Sequence, residues 1–222
     1  MLEAWYPGQE DGNAVANLLF GISNPSGKLP ISFPKSGHEH AASTPEQWPG
    51  VMKAGTRTAT YSEQLLMGYR WFDAKGIQPL FPFGYGLSYT NFSISKLRVS
   101  PKKSDGLQPI RVQFEVENTG SRAGAEVPQV YLQLPASTGE PPKRLVAFQK
   151  VSLAPREKRS VELVIDPKGT NHPLGYWESG LQAWAVADGE YQISVGNSSV
   201  TSALRDAITV RKLSQNRGSD GR

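Results

Sequence analysis

A chain of 222 residues accommodates one large or two small domains and can bury a substantial core. It contains no Cys, which excludes a disulfide scaffold, thiolate-ligated metal and a thiol nucleophile. With 22 Gly and 17 Pro beside 38% hydrophobic and 20% charged residues, it reads as turn-rich and globular rather than disordered.

The net charge of +4 is uneven: residues 1–90 carry −1, 91–210 carry +2 and 211–222 carry +3. The basic excess therefore falls mostly on a terminal tail rather than on one folded face, which argues against a nucleic-acid partner. No apolar run approaches the roughly 20 residues of a membrane span, so no membrane partner is expected. The start, Met1-Leu2-Glu3-Ala4-Trp5, has neither the basic nor the apolar region of a signal peptide.

In chain order, Glu3–Tyr6 reads as the end of a strand and Pro7-Gly8 as a turn. Asn13–Phe20 places Val15, Leu18 and Leu19 on one helical face, with Gly21 as the residue that ends the helix. Lys28–Pro34 reads as a short strand whose two prolines demand an edge or irregular position. Residues 35–58 show little periodicity and read as a long loop, and residues 59–90 are dense in aromatics and Gly without regular pattern.

From residue 91 the character changes to strand-length apolar runs: Phe92–Val99, Ile110–Asn118, Val127–Leu134, Leu145–Leu153, Arg159–Ile165, Gln182–Val186, Glu190–Gly196 and Ala207–Lys212. Alternation is plain in Val112, Phe114 and Val116, and again in Val161, Leu163 and Ile165, as half-buried strands require. Turns fall at 117–120, 153–156 and 187–189. Such a number of strands in this length matches an immunoglobulin- or fibronectin III-like β-sandwich. Residues 1–90 differ: one amphipathic helix and two short strands cannot enclose the many aromatics among them, so this part reads as the end of a larger α/β domain.

Four runs carry a resemblance: Ala4–Glu10 (AWYPGQE), Asn24–Pro30 (NPSGKLP), Gly68–Asp73 (GYRWFD) and Pro79–Thr90 (PLFPFGYGLSYT). In this order they resemble the C-terminal signatures of glycoside hydrolase family 3, whose β-glucosidases often end in a fibronectin type III-like domain. Val130–Leu132, Lys143–Val151 and Gly189–Gly196 look like strands of that domain. The resemblance implies an α/β fragment followed by all-β: the C-terminal part of the family's α/β sandwich domain over 1–90, a fibronectin type III-like domain over 91–212, and a basic disordered tail over 213–222. It also implies a parent that is secreted or periplasmic and that acts on a β-glucoside or oligosaccharide without metal or organic cofactor.

Family members draw their Asp nucleophile from an N-terminal barrel, usually in a Ser-Asp-Trp setting, and commonly a Glu acid/base from upstream of the Trp-Tyr-Pro-Gly motif. This chain has no Ser-Asp-Trp. The resemblance therefore implies the last part of a retaining β-glucosidase-like hydrolase, without catalytic residues of its own, inactive alone, and with an upstream catalytic fragment as its partner. Met1 stands where the family continues a buried strand, which implies a truncated chain. A second reading is a stand-alone, non-catalytic module that binds a partner protein or a polysaccharide.

Retaining glycoside hydrolysis needs two carboxyl groups about 5–5.5 Å apart, one of raised pKa. Glu63, in Tyr61-Ser62-Glu63-Gln64, falls where the family shows Tyr-x-Glu-Gly; it reads either as a structural carboxylate near the domain junction or as a residue lining the substrate site. Asp73, three residues from Arg70, reads as a local salt bridge or cap. His38 and His40 around Glu39, and His172 before Pro173, read as solvated loop histidines and not as a metal site. Gly84 and Gly86 read as tight turns, because no Walker Lys-Ser/Thr follows them. Trp48, Trp177 and Trp184 suit either packing or stacking on a sugar ring. Asn91-Phe92-Ser93 and Asn197-Ser198-Ser199 match the glycosylation sequon.

Overall fold

The period-two runs of the sequence supply the core. In the computed structural model, which describes residues 2–212, Ile110–Asn118 (β5) buries every second side chain, Ile110, Val112, Phe114 and Val116, against the equivalent row of Lys158–Ile165 (β10), Val161, Leu163 and Ile165. These strands pair antiparallel in register from Ile110↔Ile165 to Glu117↔Lys158, and Phe92–Ser100 (β3) completes a three-stranded sheet in the order β10-β5-β3.

The facing sheet has five strands. Lys103–Ser104 (β4), Leu204–Val210 (β14), Gly189–Gly196 (β13), Gln129–Gln133 (β7) and Arg144–Phe148 (β8) lie in that order. Val130 and Leu132 of β7, Tyr191, Ile193 and Val195 of β13, and Ile208 and Val210 of β14 meet the first sheet in one hydrophobic cluster. Burying these apolar rows between two sheets supplies the main driving force for the fold.

Two smaller pairings complete the sandwich half. The expected single strand Leu145–Leu153 is instead two: β8 pairs with β7, and Val151–Leu153 (β9) pairs with Gly124–Glu126 (β6). The break falls at the exposed Gln149-Lys150, where the chain leaves one pairing for another. Gly175–Glu178 (β11) and Ala183–Val186 (β12) form a separate hairpin. Here β4, β6 and β11 are additions to the sequence reading; each is four residues or fewer, too short to show a period.

Residues 2–90 depart further from expectation. Glu3–Tyr6 is exposed and belongs to no strand. Asp11–Leu19 (α1) matches the expected helix, with Gly21 at φ +70° just beyond it, but the apolar residues at its end are uncovered: Leu19 is 67% and Phe20 82% exposed. Lys28–Pro34 is not a strand. It runs beside residues 80–85 through Leu29 N–H to Tyr85 O (2.9 Å), Gly84 N–H to Leu29 O (2.8 Å) and Phe33 N–H to Phe81 O (2.7 Å), with a lone bridge at Phe33↔Phe81. Pro30, Pro34 and Pro82 lack the N–H groups that would continue the ladder.

Inside the expected long loop, Val51–Lys53 (β1) and Thr56–Thr58 (β2) form a hairpin across Ala54-Gly55, whose φ values of 50° and 80° are those of a type I′ turn. Ala at the first of these positions hides the turn signal. Tyr69–Lys75 (α2) is a short helix ended by Gly76 at φ +63°. The tail expected over 213–222 lies outside the described residues.

Candidate functional site

The seam between residues 2–90 and the sandwich is polar and continuous. Asn24 Nδ2 donates to Ala123 O (2.8 Å), while its Oδ1 accepts from Ser88 Oγ and Tyr89 N–H. Arg122 donates to Gly21 O and lies over the Tyr89 ring. Gln129 Nε2 donates to Gly84 O (3.1 Å) and Asn197 O (3.0 Å), and Leu145 N–H donates to Tyr69 Oη (2.8 Å). Tyr69 packs between Phe83 and Tyr131, at 5.0 and 5.8 Å between ring centroids. Gly84, at φ +78°, lies where a Cβ would overlap the Gln129 amide; this is the tight turn read from the sequence.

Two buried ion pairs cross the same seam. Lys28 Nζ lies 2.6 Å from Glu126 Oε1, and Lys143 Nζ lies 3.0 Å from Asp73 Oδ2. The latter corrects the expected Asp73–Arg70 pair: α2 aims Asp73 at the sandwich, seventy positions along the chain. The Lys143 contact is ionic but off hydrogen-bonding angles, so Oδ2 is buried without a hydrogen bond.

Burial pushes the Asp73 pKa above the ordinary aspartate value, and the Lys143 ammonium only partly opposes this. A carboxyl raised in the folded state gives stability that is complete below its unfolded pKa near 4 and is lost as pH rises through the folded pKa. The melting temperature of the native chain should therefore fall, relative to Asp73→Asn, as pH is raised above about 4. Parallel melting-temperature curves for the two proteins would contradict this assignment.

Glu63 and Trp48 are brought to adjacent turns. Gln47 Nε2 donates to Glu63 Oε2 and Ser62 Oγ, both at 3.1 Å, and Thr60 N–H donates to Glu46 O (2.8 Å), which stitches the 44–50 segment to the 60–64 turn. Glu63 is partly buried and lines an open cleft of about 560 Å³ with Gln47, Ser62, Leu66, Trp71 and Glu140. Glu140 is held by Arg144 at 2.5 Å. Trp48 is 71% exposed and outside that lining. The Glu63 carboxylate of the cleft can accept hydrogen bonds from hydroxyl groups.

The remaining candidates separate. His38 and His40 stay on their loop, where Glu39 accepts from Lys35 N–H, and among the described residues no three potential ligands gather. His172 is not a free loop residue: it stacks on Trp184 with centroids 4.4 Å apart. Trp177 and Trp184 are directly opposite on β11 and β12 and half exposed, so neither is a core residue. A Gly-Tyr-Trp run and an Ala-Trp-Ala run flanking Ser179-Gly180 were the signal for that hairpin. Of the two sequons, Asn91 is exposed, whereas Asn197 donates to Glu126 Oε2 (3.4 Å) and Ser199 is buried.

The described residues form a fibronectin-like β-sandwich seamed to a smaller segment that leaves the apolar side chains of Leu19, Phe20 and Ile22 uncovered. Residues 1–89 match the glycosyl hydrolase family 3 C-terminal domain, and residues 126–199 match the fibronectin type III-like domain. Among similar proteins, a putative β-glucosidase of Schizosaccharomyces pombe is 38% identical over 96% of this chain and 24% of its own length. Thermostable β-glucosidase B of Acetivibrio thermocellus is 38% identical over 95% and 27%. The crystal structure of DesR, a β-glucosidase from Streptomyces venezuelae in complex with D-glucose, superposes with TM-score 0.83 at 40% identity, over 93% of this chain and 26% of that one. β-Glucosidase 3B from Thermotoga neapolitana also gives 0.83, at 39% identity over 94% and 28%. The chain belongs to glycoside hydrolase family 3 and corresponds to the C-terminal portion of the β-glucosidases it matches, spanning about a quarter of their length.

Proposed function

We propose that this chain is the C-terminal part of a retaining β-glucosidase-like hydrolase, and that it works only with an upstream fragment that carries the nucleophile and the acid/base. The observation that carries this reading is the match of both parts, in order, over almost the whole chain, to β-glucosidases four times its length. The apolar residues Leu19, Phe20 and Ile22, exposed in and just after α1, suit the face on which the rest of the α/β domain docks.

In the assembled enzyme an upstream carboxylate attacks the anomeric carbon while an upstream acid protonates the departing oxygen, and water then resolves the glycosyl intermediate with net retention. The present residues contribute position. The seam holds α2 against the sandwich, and Glu63, fixed by Gln47, offers a carboxylate to a sugar hydroxyl at the rim of the cleft. The units are residues 1–90 and 91–212, joined by that seam.

The purified chain should be silent toward p-nitrophenyl β-glucoside. Retaining turnover by the chain alone would refute the proposal.

A further inference from the structure

The β11–β12 hairpin takes no part in the seam described above, and it carries two half-exposed tryptophans. Trp177 and Trp184 are cross-strand partners whose rings meet edge to face, with centroids 5.8 Å apart and planes at 81°. One face of Trp184 is occupied by the His172 imidazole, nearly parallel at 19°. In either sense of the edge-to-face contact, Trp177 keeps a ring face that neither neighbour occupies, and it is 48% exposed.

The base of the hairpin is locked. Arg144 donates to Gly175 O (2.8 Å) and His172 O (3.3 Å), and Tyr191 Oη donates to Leu174 O (3.2 Å) while accepting from Ala187 N–H (3.1 Å). The indole of Trp177 is thus carried by a hydrogen-bonded base, with Trp184 edge to face against it and His172 stacked on Trp184, at little ordering cost on binding.

Charge and size select the occupant. From Asn171 to Val186 the one acidic residue is Glu178, and its carboxylate is engaged by Tyr176 Oη (3.1 Å) and Gly180 N–H (3.2 Å); no Lys or Arg is present. The guanidinium at the hairpin base, Arg144, is spent on His172 O, Gly175 O and Glu140, so the hairpin offers little to a phosphate backbone or an anionic polymer. Two indoles and the exposed Leu181 are far smaller than the roughly 800 Å² that each partner gives to a stable protein interface. A flat π-face beside the exposed polar groups of Asn171, Ser179 and Gln182 is the complement of a pyranose, which has an axial C–H face and a rim of hydroxyls.

We propose that this hairpin is a glycan-binding platform that takes a segment of a neutral β-glucan, with Trp177 as the stacking surface and Trp184 as its buttress. The choice of a β-glucan rests on the proposed function, whereas the stacking site itself needs neither the cleft at Glu63 nor an upstream fragment.

The test is affinity electrophoresis of the full chain in gels containing laminarin or hydroxyethyl cellulose, followed by fluorescence titration with cellohexaose. The native protein should be retarded by at least one of the two glucans. Trp177→Ala should weaken retention about tenfold, Trp177→Phe should keep part of it, and Trp48→Ala should leave it unchanged. Circular dichroism and melting temperature establish that each variant is folded. No retardation in either glucan, or equal retardation of folded Trp177→Ala, would overturn the proposal. So would loss in Trp48→Ala alone, which would place the sugar in the other half. A Trp177-dependent self-association without glucan binding would make the patch a contact between copies, and would equally overturn it.

Discussion

Replacing Phe114 by alanine should destabilise the sandwich by about 3–5 kcal/mol, the cost of a large aromatic removed from a closed core. Phe114 is 2% exposed at the middle of β5, opposite Val161 of β10, and shares the cluster with residues of the facing sheet. Both sheets lose contacts at once, and neither can collapse inward without breaking its own register. Denaturant unfolding followed by far-ultraviolet circular dichroism should show a midpoint shift at unchanged slope. A loss below about 1 kcal/mol would mean that the two sheets do not close on this residue.

The second large effect is expected at the seam. Lys28→Met removes the partner of Glu126, whose side chain is 6% exposed, and leaves its carboxylate with Val127 N–H and the longer Asn197 contact. Removing one partner of a buried ion pair costs about 3–5 kcal/mol because the other charge stays desolvated; the two surviving hydrogen bonds place the expected loss near 3 kcal/mol. Because Lys28 and Glu126 lie on opposite sides of the seam, the loss should appear as faster amide exchange at residues 24–34 and 83–90, with the core of β5 and β13 still protected. Unchanged exchange in those segments would show that the hydrophobic contacts of Tyr69, Phe83 and Tyr131 hold the seam without the pair.

The sandwich was legible because its signal is local. Val112, Phe114 and Val116 alternate within one strand, and a side-chain period of two survives any tertiary arrangement. Residues 28–34 were less legible for the same physical reason in reverse: Pro30 and Pro34 allow an extended path but remove the donors of a ladder, so extension without a sheet looks like a strand. The hairpin at 51–58 was concealed by Ala54 in a left-handed conformation that Asn or Gly usually marks.

At the candidate site, the order of the four motifs named the family, but not the partners of individual side chains. Asp73 was assigned to the nearby Arg70, whereas the fold pairs it with Lys143, a contact no helical spacing encodes. The pairing of Trp177 with Trp184 escaped notice because β11 is four residues long and only its partner was recognised as a strand. Glu63, from its motif, and Trp48, as an aromatic in the long loop, were separate candidates. What joins their turns is Gln47, a partly buried amide whose role follows from tertiary geometry alone.

The most direct test of the account is hydrolysis of p-nitrophenyl β-glucoside by the purified chain mixed with a separately expressed family 3 β-glucosidase fragment, cut where the matched quarter begins. The account predicts no turnover from either piece and retaining turnover from the mixture, saturating as the chain is added and weakened when Leu19 and Phe20 are replaced by serine. A mixture that remains silent while the two pieces bind each other, or a chain that hydrolyses the substrate unaided, would contradict it.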